Sequence, residues 1–160
     1  MKNFAILIAT FFNVGKFPVA PGTVASFITT IVVFLFNYFY SPDPLIMILA
    51  IVIIFFIGIV PSRIAEKHFG HKDPHEIVID EVPGQMISLL FLPAVLSIKS
   101  IAAYLAGFFI FRFFDIFKPT PVKQADRIKG GFGIMIDDIL AGLYSLMTIH
   151  LLIYIYRALS

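Results

Sequence analysis

Two adjacent acidic pairs, Asp80 with Glu81 and Asp137 with Asp138, each stand where a polar stretch runs into a long apolar one, and Asp115 lies near the end of another apolar run. An ionised carboxylate at the middle of a bilayer costs roughly 2.5–3.5 kcal/mol on insertion scales, so acids at such boundaries face one another, a cation or a water-filled cavity. A shared metal ion reconciles them. The chain has no cysteine, which removes thiolate metal sites and every cysteine-nucleophile mechanism. Oxygen-only sites favour Mg²⁺ or Mn²⁺, and Mg²⁺ is commonly held by a few carboxylates together with water and phosphate oxygens of a substrate. That is the chemistry of phosphoryl transfer, in which the ion polarises phosphoryl oxygens and either activates water or orients a carboxylate nucleophile, while Arg and Lys neutralise developing charge.

Arg112 and Lys118 flank Asp115 at suitable spacing for holding a phosphate. Residues three apart share a helix face, so Arg112 and Asp115 fit a structural ion pair at the membrane boundary equally well. Two loop elements suit an anion: Pro21, Gly22 and Thr23 before one apolar run, and Gly130, Gly131 and Gly133 before Asp137. Both can turn backbone N–H groups and a helix N-terminus toward a phosphate, with Thr23 adding a hydroxyl donor. A glycine cluster by itself reads as a flexible turn; here it directly precedes the acids.

The elements that must position these groups are membrane helices. Of 160 residues 59% are hydrophobic and 14% charged, with a mean hydropathy of +0.96, whereas soluble domains carry about 25% charged residues. The apolar residues gather into long runs and do not alternate as in short strands. Runs at 24–40, 45–60, 101–117 and 139–156 approach the roughly 17–25 residues that a spanning helix needs. A fifth at 85–98 is short, carries Pro93 and reads as a kinked or deeply embedded helix; the run at 4–14 reads as interfacial or re-entrant. The expectation is an all-α integral membrane bundle of four to five spanning helices forming one domain over 1–160. A net charge of +2 gives no reason to expect nucleic acid as a partner.

Basic residues fix the orientation. Lys2 and Lys16, then Arg63, Lys67 and Lys72, then Lys118, Lys123, Arg127 and Lys129 fall in alternate connections, which the positive-inside rule places in the cytoplasm. Five spans leave the C-terminus outside. Of the ten acids only Asp43 then lies on the external side; Glu66, Asp73, Glu76, Asp80, Glu81, Asp115, Asp126, Asp137 and Asp138 share the cytoplasmic face.

On these residues the chain resembles the phosphatidylglycerophosphatase A lipid phosphatases. The likeness covers most of the chain: Pro21, Gly22 and Thr23; Asp73, then Ile77, Val78, Ile79, Asp80, Glu81 and Gly84; Phe111, Arg112 and Asp115 running into Lys118, Pro119 and Pro121; Asp126; and Gly130, Gly131 and Gly133 through Asp137 and Asp138 to Ala141 and Gly142. Several separated motifs in one order are more specific than any one alone. The resemblance implies a multi-pass enzyme of the bacterial inner membrane that uses Mg²⁺ to convert phosphatidylglycerophosphate to phosphatidylglycerol and phosphate, in phospholipid biosynthesis. It also implies an active site containing Asp80, Glu81, Asp115, Asp137 and Asp138. The roles expected here are Asp80, Glu81, Asp137 and Asp138 as metal ligands, Asp80, Asp115 and Asp138 as catalytic groups, and Arg112, Lys118 and Thr23 on the substrate phosphate. The expected partners are this phospholipid and the bilayer itself.

Other readings fit less well. Ser62, Arg63, His68 and Asp73 approximate a histidine-nucleophile phosphatase motif, but the spacing is off by one and its partner motifs are missing. His68, His71 and His75 approximate a zinc site, but Gly70 and Pro74 break the helix that would align them. His150 stands alone in an apolar run and reads as packed or outward-facing. The long Asp-rich signature of a CDP-alcohol phosphotransferase is absent. A small ion or proton transporter is the alternative from another class; it predicts acids near the midplane, not at one face.

Overall fold

A computed structural model describes residues 2–125 and 127–159. Among them the regular structure is entirely helical: α1 (Lys2–Ala9), a 3₁₀ turn at Val14–Lys16, α2 (Pro21–Tyr40), α3 (Pro44–Phe69), α4 (Glu81–Ser88), α5 (Ile98–Phe117), α6 (Val122–Ala125) and α7 (Gly131–Leu159). Of these, α2, α3, α5 and α7 are long and apolar enough to cross a membrane. Their outer faces expose Phe39, Ile53, Phe109 and Leu151 among many large apolar residues, as a lipid-facing surface requires. The chain is a membrane protein.

Proline starts α2 at Pro21 and α3 at Pro44, where a missing N–H is not felt. Asp43 caps α3 by accepting from Leu45 N at 2.8 Å, and Ser97 caps α5 through Ser100 N at 3.2 Å. At 1.5 Å per residue, α2 and α5 with 20 residues each match a hydrocarbon core of about 30 Å. The 26 residues of α3 and 29 of α7 overrun it. Both exceed their apolar runs because a helix that gains one hydrogen bond per residue does not stop where the sequence turns polar.

The stretch expected as a fifth span takes a different form. α4 is eight residues long and wholly buried, packed by α2, α3, α5 and α7, and irregular chain continues from it to α5. This broken segment still crosses the bundle. Ser88 Oγ lies 2.7 Å from Ser145 Oγ, and His150 Nε2 lies 2.9 Å from the Leu90 carbonyl. The segment thus keeps pace with α7 from Asp138 to His150, roughly 18 Å at the helical rise. Non-helical backbone at membrane depth is tolerable because protein surrounds it: Leu92 O accepts from Tyr104 Oη at 3.2 Å and Pro93 O from Ser100 Oγ at 2.6 Å. His150 is therefore a packed histidine. The run at 4–14 does not span; α1 ends at Ala9, left-handed Phe11, Phe12 and Asn13 reverse the chain, and Ala9 O accepts from Val78 N and Ile79 N at 3.0 and 3.2 Å.

Candidate active site

Close backbone approach brings the two acidic pairs together. A Cβ at Gly84 of α4 would stand 2.6 Å from the Asp138 carbonyl, and one at Gly142 of α7 would collide with the Gly84 carbonyl. The small residues let the two helices touch backbone to backbone, which sets Asp80 and Glu81 beside Asp137 and Asp138. Gly22 does the same for α2, where a Cβ would collide with the Glu81 carboxylate. The result is a cleft of about 420 Å³ at one end of the bundle. Its walls hold all eight residues expected from the sequence, Thr23, Asp80, Glu81, Arg112, Asp115, Lys118, Asp137 and Asp138.

Three lining residues that are not glycine have left-handed backbone: Ala20 at φ 47°, Asp73 at φ 46° and Lys118 at φ 45°. Such conformations cost roughly 1–2 kcal/mol each and persist where the surroundings enforce them. At Lys118 the reversal ends α5 and turns the side chain back onto α7, where Nζ donates to Asp137 Oδ2 at 2.7 Å. Arg112, one turn before Asp115, bonds Asp115 Oδ2 at 2.9 Å. The same Nη1 donates to Glu81 Oε2, which also accepts from Ser26 Oγ at 2.8 Å. The ion pair that the sequence allowed between Arg112 and Asp115 is present, with Glu81 as a second partner.

These pairs leave acid in excess. Asp73, Asp80, Glu81, Asp115, Asp137 and Asp138 face Arg112 and Lys118 in one cleft, and Asp80, Glu81, Asp137 and Asp138 are between 3% and 8% exposed. Burial pushes the Asp80 carboxyl well above the usual carboxylate range, with the charges of Asp73, Glu81, Asp137 and Asp115 adding to it. Asp80 Oδ1, Asp137 Oδ1 and Asp138 Oδ2 are buried without a hydrogen-bond partner. All three residues line the cleft, and oxygen donors of this kind match the chemistry of a hard cation. Among the described residues no three acidic or histidine side chains are gathered closely enough to hold a metal ion by themselves.

The glycines 130–133 do not line the cleft. A Cβ at Gly131 would strike the Ile59 carbonyl of α3, and one at Gly133 the Ile128 carbonyl, so these two serve backbone packing under the start of α7, while Gly130 at φ 82° makes the turn before it. Asp126 lies outside the described residues. His68 sits on α3 against Phe69 and His71 in the turn after it, while His75 lines the cleft. The sequence reading missed Ser26 as the partner of Glu81 and His75 as a lining group. Ser26 falls four residues after Gly22 with Thr29 and Thr30 following, and that polar stripe inside an apolar run was the available signal.

The sequence model of the phosphatidylglycerophosphatase A family matches residues 7–153. A Bacteroides thetaiotaomicron protein carrying the provisional name phosphatidylinositol-3-phosphatase is 37% identical over 147 residues, covering 90% of each chain. The phosphatidylglycerophosphatase A of Escherichia coli K12 is 36% identical over 147 residues, 91% of this chain and 81% of that one. Its namesake from Haemophilus influenzae is 35% identical over 149 residues, 92% and 88% of the two chains. No solved structure matches the chain.

Proposed function

The chain belongs to the phosphatidylglycerophosphatase A family and is with it a phosphatase, and from that premise we propose that it removes the terminal phosphate of phosphatidylglycerophosphate with the help of Mg²⁺ at the cytoplasmic face of a bacterial inner membrane. The observation that carries this reading is the acid excess of the cleft. A phosphomonoester brings negative charge to a wall of six carboxylates, and the two meet only through an intervening cation. Asp80, Asp137 and Asp138, with their unpartnered oxygens, and Glu81 beside them are the residues to hold it. Bound there, Mg²⁺ supplies charge neutralisation and polarises the phosphoryl oxygens.

The chain's own groups do the rest. Lys118 and Arg112 stand at the cleft as donors to phosphate oxygens, Thr23 adds a hydroxyl from the first turn of α2, and Asp115 orients Arg112 through its 2.9 Å contact. On this reading Asp80 or Asp138 accepts the proton of an attacking water. As the water oxygen bonds to phosphorus, the bond to the glycerol oxygen breaks and that oxygen takes up a proton, giving phosphatidylglycerol and phosphate. Because the acids sit at the ends of spanning helices, the acyl chains stay in the bilayer while the headgroup reaches the site. This placement also sets the chain apart from a transporter, which needs its acids near the midplane.

The test is phosphate release by the purified protein in lipid-supplemented detergent, from phosphatidylglycerophosphate beside phosphatidylinositol 3-phosphate and phosphatidic acid, with Mg²⁺ or with chelator. Mg²⁺-dependent release, fastest from phosphatidylglycerophosphate and lost in Asp80→Asn, is expected. Faster release from phosphatidylinositol 3-phosphate would transfer the reading to the substrate named for the Bacteroides relative, and release that survives chelation would remove the metal.

A further inference from the structure

α4 carries three polar side chains on one buried stripe. Glu81, Gln85 and Ser88 follow at spacings of four and three, which stacks them along a single helix face. The first and last are satisfied: Glu81 Oε2 accepts from Ser26 Oγ and from Arg112, while Ser88 Oγ lies 2.7 Å from Ser145 Oγ and 2.9 Å from the Gly107 carbonyl that accepts from it. Gln85 between them is completely buried, and neither its Nε2 nor its Oε1 has a hydrogen-bond partner. Buried amides are almost always paired, so an unpaired one calls for a partner in a working state.

The pairing of Arg112 shows which state that is. Its Nη1 is shared among Glu81, Asp115 and Ser26, and its Nε is buried without a partner. If Arg112 is to grip a substrate phosphate, as the phosphatase reading above requires, its hold on Glu81 must loosen, and the released Glu81 Oε2, left with Ser26 as its other donor, needs a second hydrogen bond to keep the carboxylate oriented toward the cation. We propose that Gln85 is the reserve partner of Glu81: as Arg112 turns to the phosphate, the Gln85 amide one turn deeper donates to the Glu81 carboxylate and keeps it in place. Gln85 is on this view a positioning residue for phosphate capture, acting through Glu81 and Arg112 without touching substrate. It makes the arginine free to move without stranding the acid.

The test is a cycle of Gln85→Met, Arg112→Gln and the double variant, read by calorimetric binding of inorganic phosphate in the presence of Mg²⁺, by KM and kcat where turnover is measurable, and by melting temperature. Exchanging an unpaired buried amide for an apolar side chain of similar size leaves stability unchanged or raises it. The expected result for Gln85→Met is therefore an unchanged or higher melting temperature with phosphate affinity about tenfold weaker, KM raised in step and kcat changed less. In the Arg112→Gln background the same exchange is expected to change phosphate affinity by less than about twofold, since nothing remains to be handed over. Wild-type phosphate affinity in Gln85→Met, with or without a lower melting temperature, would assign the residue to packing and overturn the proposal. Effects that simply multiply in the double variant would overturn it too; Gln85→Leu repeats the comparison if Met packs badly. Failure of the underlying phosphatase reading shows separately, as absence of phosphate release by the unaltered protein.

Discussion

The broken passage from α4 to α5 has two ends, and the protein treats the polar groups at them in opposite ways. At the far end the irregular chain is tied down by neighbours: Tyr104 Oη donates to Leu92 O, Ser100 Oγ to Pro93 O, and Val95 N to Ser100 Oγ at 3.2 Å. At the cleft end three carboxylate oxygens and the Arg112 Nε remain buried without partners, and like charges crowd together. In both places the polar groups are buried, where an unsatisfied one is costly. The irregular backbone of the far end is held by protein hydrogen bonds, although Asn37 Oδ1 there stays unpartnered, whereas at the cleft end the unpartnered atoms are charged. What separates the ends is charge: among the described residues, unpartnered carboxylates and a guanidinium gather at the cleft.

The largest expected effect falls on the cleft. Asp138→Asn keeps the volume of a buried side chain and removes its charge, so kcat should fall by at least about 10³-fold while membrane insertion and melting temperature hold. An active Asn variant would place Asp138 outside the chemistry and leave the contrast between the ends without its main support. Gly84→Ala acts one step back, on the contact that assembles the cleft. Its Cβ would stand 2.6 Å from the Asp138 carbonyl and 2.8 Å from Phe111 Cε2; overpacking of this kind costs about 1–3 kcal/mol. Forcing α4 off α7 also moves Asp80 and Glu81 relative to Asp137 and Asp138, and a displacement of about 1 Å can cost about 10²-fold in rate. Activity per folded molecule measured beside melting temperature checks this; a variant that loses stability and keeps its rate would show that the helix contact does not set the site.

Much of this was legible in the sequence, and the reason is dielectric. Acids abutting apolar runs have few tolerable arrangements, so Asp80, Glu81, Asp115, Asp137 and Asp138 could be expected to meet before any coordinates placed them in one cleft. The four continuous spans were legible from run length, though not their ends: Arg63, Glu66 and Lys67 continue α3, and Gly131 begins α7 well ahead of its apolar run. The break after Ser88 was only half legible, since Pro93 signals a disruption without saying where the helix stops. Gln85 and Ser26 were only half legible: each belongs to a polar stripe, Gln85 with Glu81 and Ser88 and Ser26 with Thr29 and Thr30, but what such a stripe does depends on what the opposite helix presents. The glycines before Asp137 misled for the same reason: a small residue admits either an anion or another backbone, and here Ile59 and Ile128 fill the space.

The smallest expected effect comes from the far end. Tyr104 is 2% exposed, accepts from Asn37 Nδ2 at 2.9 Å and donates to Leu92 O. Tyr104→Phe removes one hydroxyl and strands both partners, which should cost about 1–3 kcal/mol of stability, the penalty for leaving buried polar groups unmade. Because the cleft lies at the other end of the passage, kcat per folded molecule should stay within about twofold of wild type. The paired measurement is a melting curve in detergent and a rate at saturating substrate, set beside those of Asp138→Asn, for which the two readouts should move the opposite way. A tenfold loss of rate in Tyr104→Phe at intact fold would mean that the irregular chain transmits its anchoring to Asp80 and Glu81. The two ends would then be one mechanical unit, and hydrogen bonds that here build the fold would also tune the site.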